Sequence, residues 1–165
     1  MPRILTVRFA TRDDAAGIAA MSRDEIERGL QWSWTEGRVA NAIANPETNV
    51  IVAGPAGALI GFGIMVYRDE TAHLSLFAVA ASHRRQGVGS ALLEWLETVA
   101  RETAVQRIRV ECRRSNEAAR NFYGELGYHE LAIVRRYYRG VEDAIALEKH
   151  LCPDLRQASD PSAPV

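Results

Sequence analysis

Apolar residues recur along this chain with two different periods, and the points where the period changes divide it into elements. Leu5-Thr6-Val7-Arg8-Phe9-Ala10 alternates every second residue, the pattern of a half-buried strand. Beyond it, Thr11 or Asp13 can cap a helix in which Ala16, Ile18, Ala19, Met21 and Ile26 keep helical spacing to about Arg28, with Gly29 as the stop. A second helix is expected from Thr35 to Asn45, with Thr35 as its cap and Pro46 just past its end. Asn49 to Ala53 and Leu59 to Tyr67 are β-rich runs joined by Gly54-Pro55-Ala56-Gly57, which predicts a hairpin. Arg68-Asp69-Glu70 then turns the chain into the short apolar run Leu74 to Ala80.

The strongest helical pattern follows. Val88, Ala91, Leu92, Trp95, Leu96, Val99 and Ala100 share one face, opposite Glu94, Glu97 and Arg101. Arg107 to Cys112 alternates again, so Ile108, Val110 and Cys112 face one way while Arg107, Arg109 and Glu111 face the other. A further helix, capped by Ser115 or Asn116, presents Ala118, Ala119, Phe122, Tyr123 and Leu126 and stops at Gly127. Tyr128 to Val134 and Ala144 to Lys149 are the last strands, separated by the polar, tyrosine-containing Arg135 to Gly140. The order β-α-α-β-β-β-α-β-α-β-β places the chain in the α/β (α+β) class. About seven strands would form one mixed sheet, antiparallel at its start, with helices on both faces.

Residues 1–151 are expected to form a single domain, and the last fourteen, CPDLRQASDPSAPV, read as a disordered tail. A net charge of −1 supplies no global basic field, which argues against nucleic acid or an anionic membrane as partner. The apolar runs are strand-sized, too short to span a bilayer. Cys112 and Cys152 lack metal-ligand spacing, and nothing marks secretion, so a cytoplasmic setting is expected. His73, His83, His129 and His150 are scattered without ligand spacing; surface or structural roles are expected for each, and no metal. Trp32 and Trp34 lie on the connector between the first two helices, where they could line an acceptor pocket or plug the core.

Candidate chemistry concentrates where the apolar run meets the strongest helix. Arg84-Arg85-Gln86-Gly87-Val88-Gly89-Ser90 sets two glycines in a turn that opens directly into that helix, whose first N–H groups have no intrahelical partner. An anion could be held there. The spacing is neither that of the P-loop nor that of the dinucleotide-binding fingerprint. Instead, R-x-x-G-x-G after an apolar strand resembles the acetyl-CoA pyrophosphate loop of the GNAT superfamily of N-acetyltransferases. Arg109 to Tyr128, RVECRRSNEAARNFYGELGY, resembles the superfamily's E-x-R-x-S-N-x-x-A-x-x-x-Y-x-x-L-G-F/Y block. With Arg135-Arg136-Tyr137-Tyr138 and Glu142-Asp143-Ala144, it is similar to the RimI-type branch, the ribosomal-protein alanine and other N-terminal protein acetyltransferases.

This resemblance spans Leu74 to Lys149 and implies a role for each matching residue. Phe77, Ala78 and Val79 would offer strand backbone to the pantetheine and thioester of acetyl-CoA. Arg84, Arg85, Gln86, Gly87, Val88, Gly89 and Ser90 would hold its pyrophosphate, and Asn116 would touch the pantetheine arm. Glu111 matches the general base and Tyr123 the general acid, while Tyr137 and Tyr138 would grip the acceptor. Without the resemblance, Glu111 among four arginines could be a surface ion-pair member, Tyr123 a core residue, Tyr137 and Tyr138 hairpin residues, and Cys112 a small buried hydrophobe. Ala80-Ala81-Ser82-His83 departs from the D/N-P-x-Y/W common before the basic turn.

The expectation is direct acetyl transfer to an amine in a ternary complex, with a protein or peptide N-terminus as leading acceptor. One alternative is a small amine such as a polyamine, amino acid or drug, for which Asp24, Glu25, Glu27 and Glu36 would be candidate partners. Another is a non-catalytic acyl-CoA-binding module. A homodimer is compatible with the sequence.

Overall fold

The computed structural model describes residues 5–138, 140 and 142–151; the expected tail, with Cys152, lies outside the described residues. Seven strands form one sheet in the order β1-β2-β3-β4-β5-β7-β6. They are β1 (Val7–Phe9), β2 (Thr48–Ala53), β3 (Gly61–Arg68), β4 (Thr71–Val79), β5 (Arg107–Arg113), β6 (His129–Tyr138) and β7 (Glu142–His150). All neighbours run antiparallel except β4 and β5. The helices are α1 (Ala15–Met21), α2 (Glu36–Ala44), α3 (Val88–Arg101) and α4 (Glu117–Glu125).

Each face of the sheet buries its own apolar set. On one face Leu92, Leu93 and Leu96 of α3, all fully buried, pack with Ile108, Val110, Ile145 and Leu147 from β5 and β7. On the other, Ile18 and Val39 of α1 and α2 pack with Val50, Val52, Phe62 and Ile64. Alternation along β5 is the expected one, with Ile108, Val110 and Cys112 buried and Arg107, Arg109 and Glu111 turned away.

Three boundaries differ from expectation. The first helix does not run from residue 11 or 13 to Arg28: a 3₁₀ turn (Arg12–Asp14) leads into α1, and a π-helical turn (Ser22–Ile26) follows it. Its start is fixed by Asp14, which is buried, receives two hydrogen bonds from Arg8 at 2.8 and 2.9 Å, and accepts the Thr11 N–H at 2.7 Å. The wide turn brings Ser22 and Glu27 inside together, their side chains 3.1 Å apart. Arg135 to Tyr138, expected to connect the last strands, instead continues β6. Arg136, with φ +51°, interrupts the regular pairing between Val134 and Tyr138. The third difference is in β4, where Ile64 pairs with Leu76 but Met65 with Leu74, leaving Ser75 as a bulge. Alternation changes phase there. Leu74 packs on the α3 side, whereas Leu76 packs on the α1 side.

The β4 irregularity coincides with a break in the sheet. β4 and β5 pair from Thr71/Arg107 to Leu74/Val110 and no further, although β4 continues to Val79 and β5 to Arg113. Beyond Leu74 the edge of β4 that faced β5 therefore has no strand partner among the described residues.

Candidate active site

The parting of β4 from β5 opens a cleft of about 1130 Å³. At one end is the basic turn. Arg85 (φ +61°) and Gly87 (φ +81°) are both left-handed, so the turn bends sharply just before α3. Gly87 is needed for its backbone angle, since a Cβ there would meet nothing within 4 Å. Gly89 is needed for space: a Cβ would lie 3.2 Å from the Phe122 ring. The turn feeds α3, whose first-turn N–H groups carry the positive end of the helix dipole.

Most, but not all, of the residues expected to hold the donor face this cleft. Phe77, Ala78, Val79, Arg84, Arg85, Gly87, Gly89, Ser90 and Asn116 line it. Gln86 does not; its amide donates to the Ser82 carbonyl at 3.3 Å on the exposed side of the turn. Val88 packs its side chain into the core, leaving only its backbone for an anion. Arg84 is partly committed, pairing with Glu25 and donating to the Val79 carbonyl at 3.3 Å. Arg85 has no carboxylate partner among the described residues. Asn116 caps α4 by accepting the Ala119 N–H at 3.0 Å, which leaves its own N–H₂ group for another acceptor.

At the cleft's centre Glu111 is a member of a chain of polar groups. Its Oε2 lies 2.5 Å from His73 Nε2 and accepts the Tyr137 hydroxyl at 3.4 Å. His73 Nδ1 is in turn 3.2 Å from Ser75 Oγ. With the serine hydroxyl donating to Nδ1, the Nε2–H points at the carboxylate and holds it in place. His73, expected only to serve at the surface or in the structure, is thus the site residue that sequence reading missed. Its proximity to Glu111 requires the parallel register of β4 on β5, in which His73 faces Arg109, and no spacing in the chain announces that.

Tyr123, on α4, reaches the same cleft from the opposite face of the sheet. Burial raises its pKa far above that of a free phenol, so the hydroxyl stays protonated at neutral pH. Burial also pushes the neighbouring Cys112 thiol up to about 11, which makes it inert as a nucleophile near neutrality. Partial burial and the Glu111 carboxylate together raise Tyr137 to about 12.

The remaining wall comes from the connector after α1 and from β6. Trp34 lines the cleft, packs against the α1-side core and carries the Arg38 guanidinium 3.8 Å from its ring centre. Trp32 is 41% exposed, lies outside the cleft and has Arg23 5.7 Å from its ring centre. The two tryptophans therefore divide: Trp34 is both wall and plug, and Trp32 is neither. Tyr137 and Tyr138 both line the cleft, packed edge to face at 5.0 Å.

The sequence and the fold have parallels among known proteins. The chain is 38% identical over 94 residues to the ribosomal protein bS18-alanine N-acetyltransferase of Escherichia coli, a match covering 55% of this chain and 64% of that protein. It is 37% identical over 73 residues to an N-alpha-acetyltransferase of Sulfurisphaera tokodaii, 44% of either chain. The matched stretches thus span less than two thirds of these relatives. Among solved structures, the Escherichia coli ribosomal-protein-S18-alanine N-acetyltransferase superposes with a TM-score of 0.74 at 29% identity, over 90% of this chain and 94% of that one. Ard1 from Thermoplasma volcanium shares the fold, with a TM-score of 0.79 at 24% identity over 90% and 98%. The acetyltransferase (GNAT) family profile matches residues 18–128, spanning the α1 connector, the glycine turn and the Glu111 to Tyr123 block, and the chain belongs to that family.

Proposed function

We propose that this chain transfers the acetyl group of acetyl-CoA to a primary amine, with the α-amine of a protein or peptide N-terminus as acceptor. The observation that carries the proposal is the placement of Glu111, braced by His73 and Tyr137, and of protonated Tyr123 on one cleft whose far end is an anion-binding helix start. The diphosphate of acetyl-CoA lies on the N–H groups of Gly87 to Ser90 with Arg85 beside it, and the pantetheine amides meet the unpaired edge of β4.

The chemistry follows from the groups present. An amine near neutral pH is mostly protonated; Glu111, directly or through a water, takes its proton and frees the lone pair. The amine nitrogen then attacks the thioester carbon, and a C–N bond forms. Negative charge moves to the carbonyl oxygen, where a β4 backbone N–H near Val79 stabilises it. As the carbonyl re-forms, the C–S bond breaks and the sulfur leaves with the bonding electrons. Tyr123 donates a hydrogen bond to that sulfur, the proton that the nitrogen sheds as the amide forms passes through water to the sulfur to give CoA, and the first proton leaves Glu111 for solvent. An alkyl thiol is a stronger acid than this buried phenol, so Tyr123 lowers the barrier by sharing its proton and ends protonated.

Acceptor class rests on the acidic residues. A polyamine or other cationic small amine needs uncommitted carboxylates, yet Glu25 is paired with Arg84, and Glu27 accepts from Ser22, Ser33 and the Trp34 N–H. Asp24 is bonded to Arg23 and, like Glu36, does not line the cleft. The test is CoA release together with acceptor mass. Peptides with free Ala, Ser or Met N-termini are expected to gain one acetyl group, abolished by blocking the α-amine. Acetylation confined to polyamines, amino acids or aminoglycosides would overturn the protein-directed reading, and acetyl-CoA binding without turnover of any amine would favour a binding module.

A further inference from the structure

Arg113 belongs to the same strand as Glu111, two residues on, and its guanidinium joins the connector after α1 to the β6–β7 hairpin, more than a hundred residues further along the chain. One terminal nitrogen donates to two carbonyls of the connector after α1, Ile26 O at 2.9 Å and Arg28 O at 2.8 Å. The other donates to Glu142 Oε2 at 2.9 Å, at the start of β7. Its carbon centre is 5.4 Å from the middle of the Tyr138 ring, at the end of β6. These contacts are locked from both sides. Glu142 also accepts the Ser115 hydroxyl at 2.6 Å, while Glu27, nearly buried, fastens the far end of the connector through the Ser33 and Trp34 N–H groups at 2.8 and 3.3 Å. The connector and the end of β6 both line the cleft, as does Glu111.

We propose that Arg113 is a positioning residue of the acceptor side, a clasp that sets the width of the mouth through which the amine reaches Glu111. The inference rests on the acetyl-transfer reading above for its kinetic consequence, although the clasp itself is structural. Only a planar guanidinium has the fork of donors to serve two carbonyls and a carboxylate at once while lying against an aromatic face. A lysine keeps the charge but presents its three N–H donors from one nitrogen, without the planar fork. Glycine at position 29, with φ +77°, gives the connector a bend next to the clasped carbonyls and no side chain to hold it otherwise. Arg113 touches neither reacting atom, so its loss should loosen acceptor binding and leave donor binding intact.

The experiment compares the native chain with Arg113→Lys, Arg113→Met and Glu142→Gln. For Arg113→Lys the peptide-acceptor KM should rise about tenfold and kcat fall less than threefold, with KM for acetyl-CoA unchanged within twofold. Arg113→Met should exceed this, and Glu142→Gln, which removes the charge from one of three hydrogen-bond acceptors, should produce the same pattern more weakly. Amide hydrogen exchange supplies a second readout that needs no acceptor. Exchange at residues 28–34 should accelerate about tenfold in Arg113→Lys while amides of α3 stay as in the native chain. Unchanged exchange in the connector would overturn the clasp whatever the acceptor proves to be. Faster exchange with equal loss for peptide and small-amine acceptors would overturn its role in acceptor binding while leaving acetyl transfer standing. A uniform rise in exchange across α3 would show a general loss of stability and also count against it.

Discussion

The two ends of the cleft are built on different principles. The donor end is mostly backbone: the first N–H groups of α3, the left-handed pair Arg85 and Gly87, and the open edge of β4. The acceptor end is mostly side chains brought together from distant positions, His73 with Glu111 and Arg113 with the carbonyls of Ile26 and Arg28. A backbone site is specified by local sequence, because glycine placement and a helix start suffice. A side-chain site is specified by register and topology. On the acetyl-transfer reading the first serves one constant ligand, and single contacts in the second are where acceptor preference would be set.

Substitutions should separate the two ends. The largest effect is expected for Glu111→Gln, which keeps the shape but cannot take a proton. kcat/KM for the peptide should fall about 10²- to 10⁴-fold, with acetyl-CoA affinity, read by calorimetry, unchanged within twofold. A comparable fall in donor affinity would erase the division between the ends. Gly89→Val should do the reverse. Its side chain must displace Phe122, and acetyl-CoA affinity should drop at least tenfold while residual turnover keeps the native acceptor KM. A raised acceptor KM with intact donor binding would refute that.

Asp14→Asn tests the acceptor-side helices through stability. The Arg8 guanidinium, with the Thr11 N–H assisting, holds the buried Asp14 carboxyl below the usual carboxylate range. Its stabilising contribution is therefore complete above the unfolded pKa near 3.9 and is lost as pH falls through the lower folded value. The variant should be about 2 kcal/mol less stable than the native chain at pH 7, and the gap should close in acid below pH 4. Denaturant unfolding at both pH values measures it, and a gap independent of pH would remove the carboxylate as its source. Trp32→Ala should do least, with both KM values unchanged within twofold, because the ring lies outside the cleft. A tenfold change in acceptor KM would return Trp32 to the acceptor wall.

What could be read in advance follows the same division. The strand and helix order, the faces of β5 and the glycine turn all follow from periodicity and backbone chemistry, which act over a few residues. The π-helical turn at Ser22 to Ile26 escaped notice because helical spacing persists through it; only the burial of Ser22 against Glu27 reveals it. Tyr137 and Tyr138 looked like a connection because polar residues surround them, yet β6 continues through them, both line the cleft, and Tyr137 reaches Glu111. His73 was illegible for a different reason. Its partner is thirty-eight residues away, across the one parallel pairing in the sheet, and alternation on β4 is broken at Ser75 before any face can be assigned.

The unpaired edge of β4 also has a thermodynamic consequence. A sheet interrupted in its middle leaves a row of backbone hydrogen-bonding groups, and an amide-bearing arm laid along it would extend the protein's own secondary structure. Whatever fills that gap binds the folded chain and has nothing to bind in the unfolded one. At a hundred times its dissociation constant it should add about 2.7 kcal/mol to the unfolding free energy. On the acetyl-transfer reading, acetyl-CoA should therefore raise the resistance of the chain to denaturant as well as supply the acetyl group.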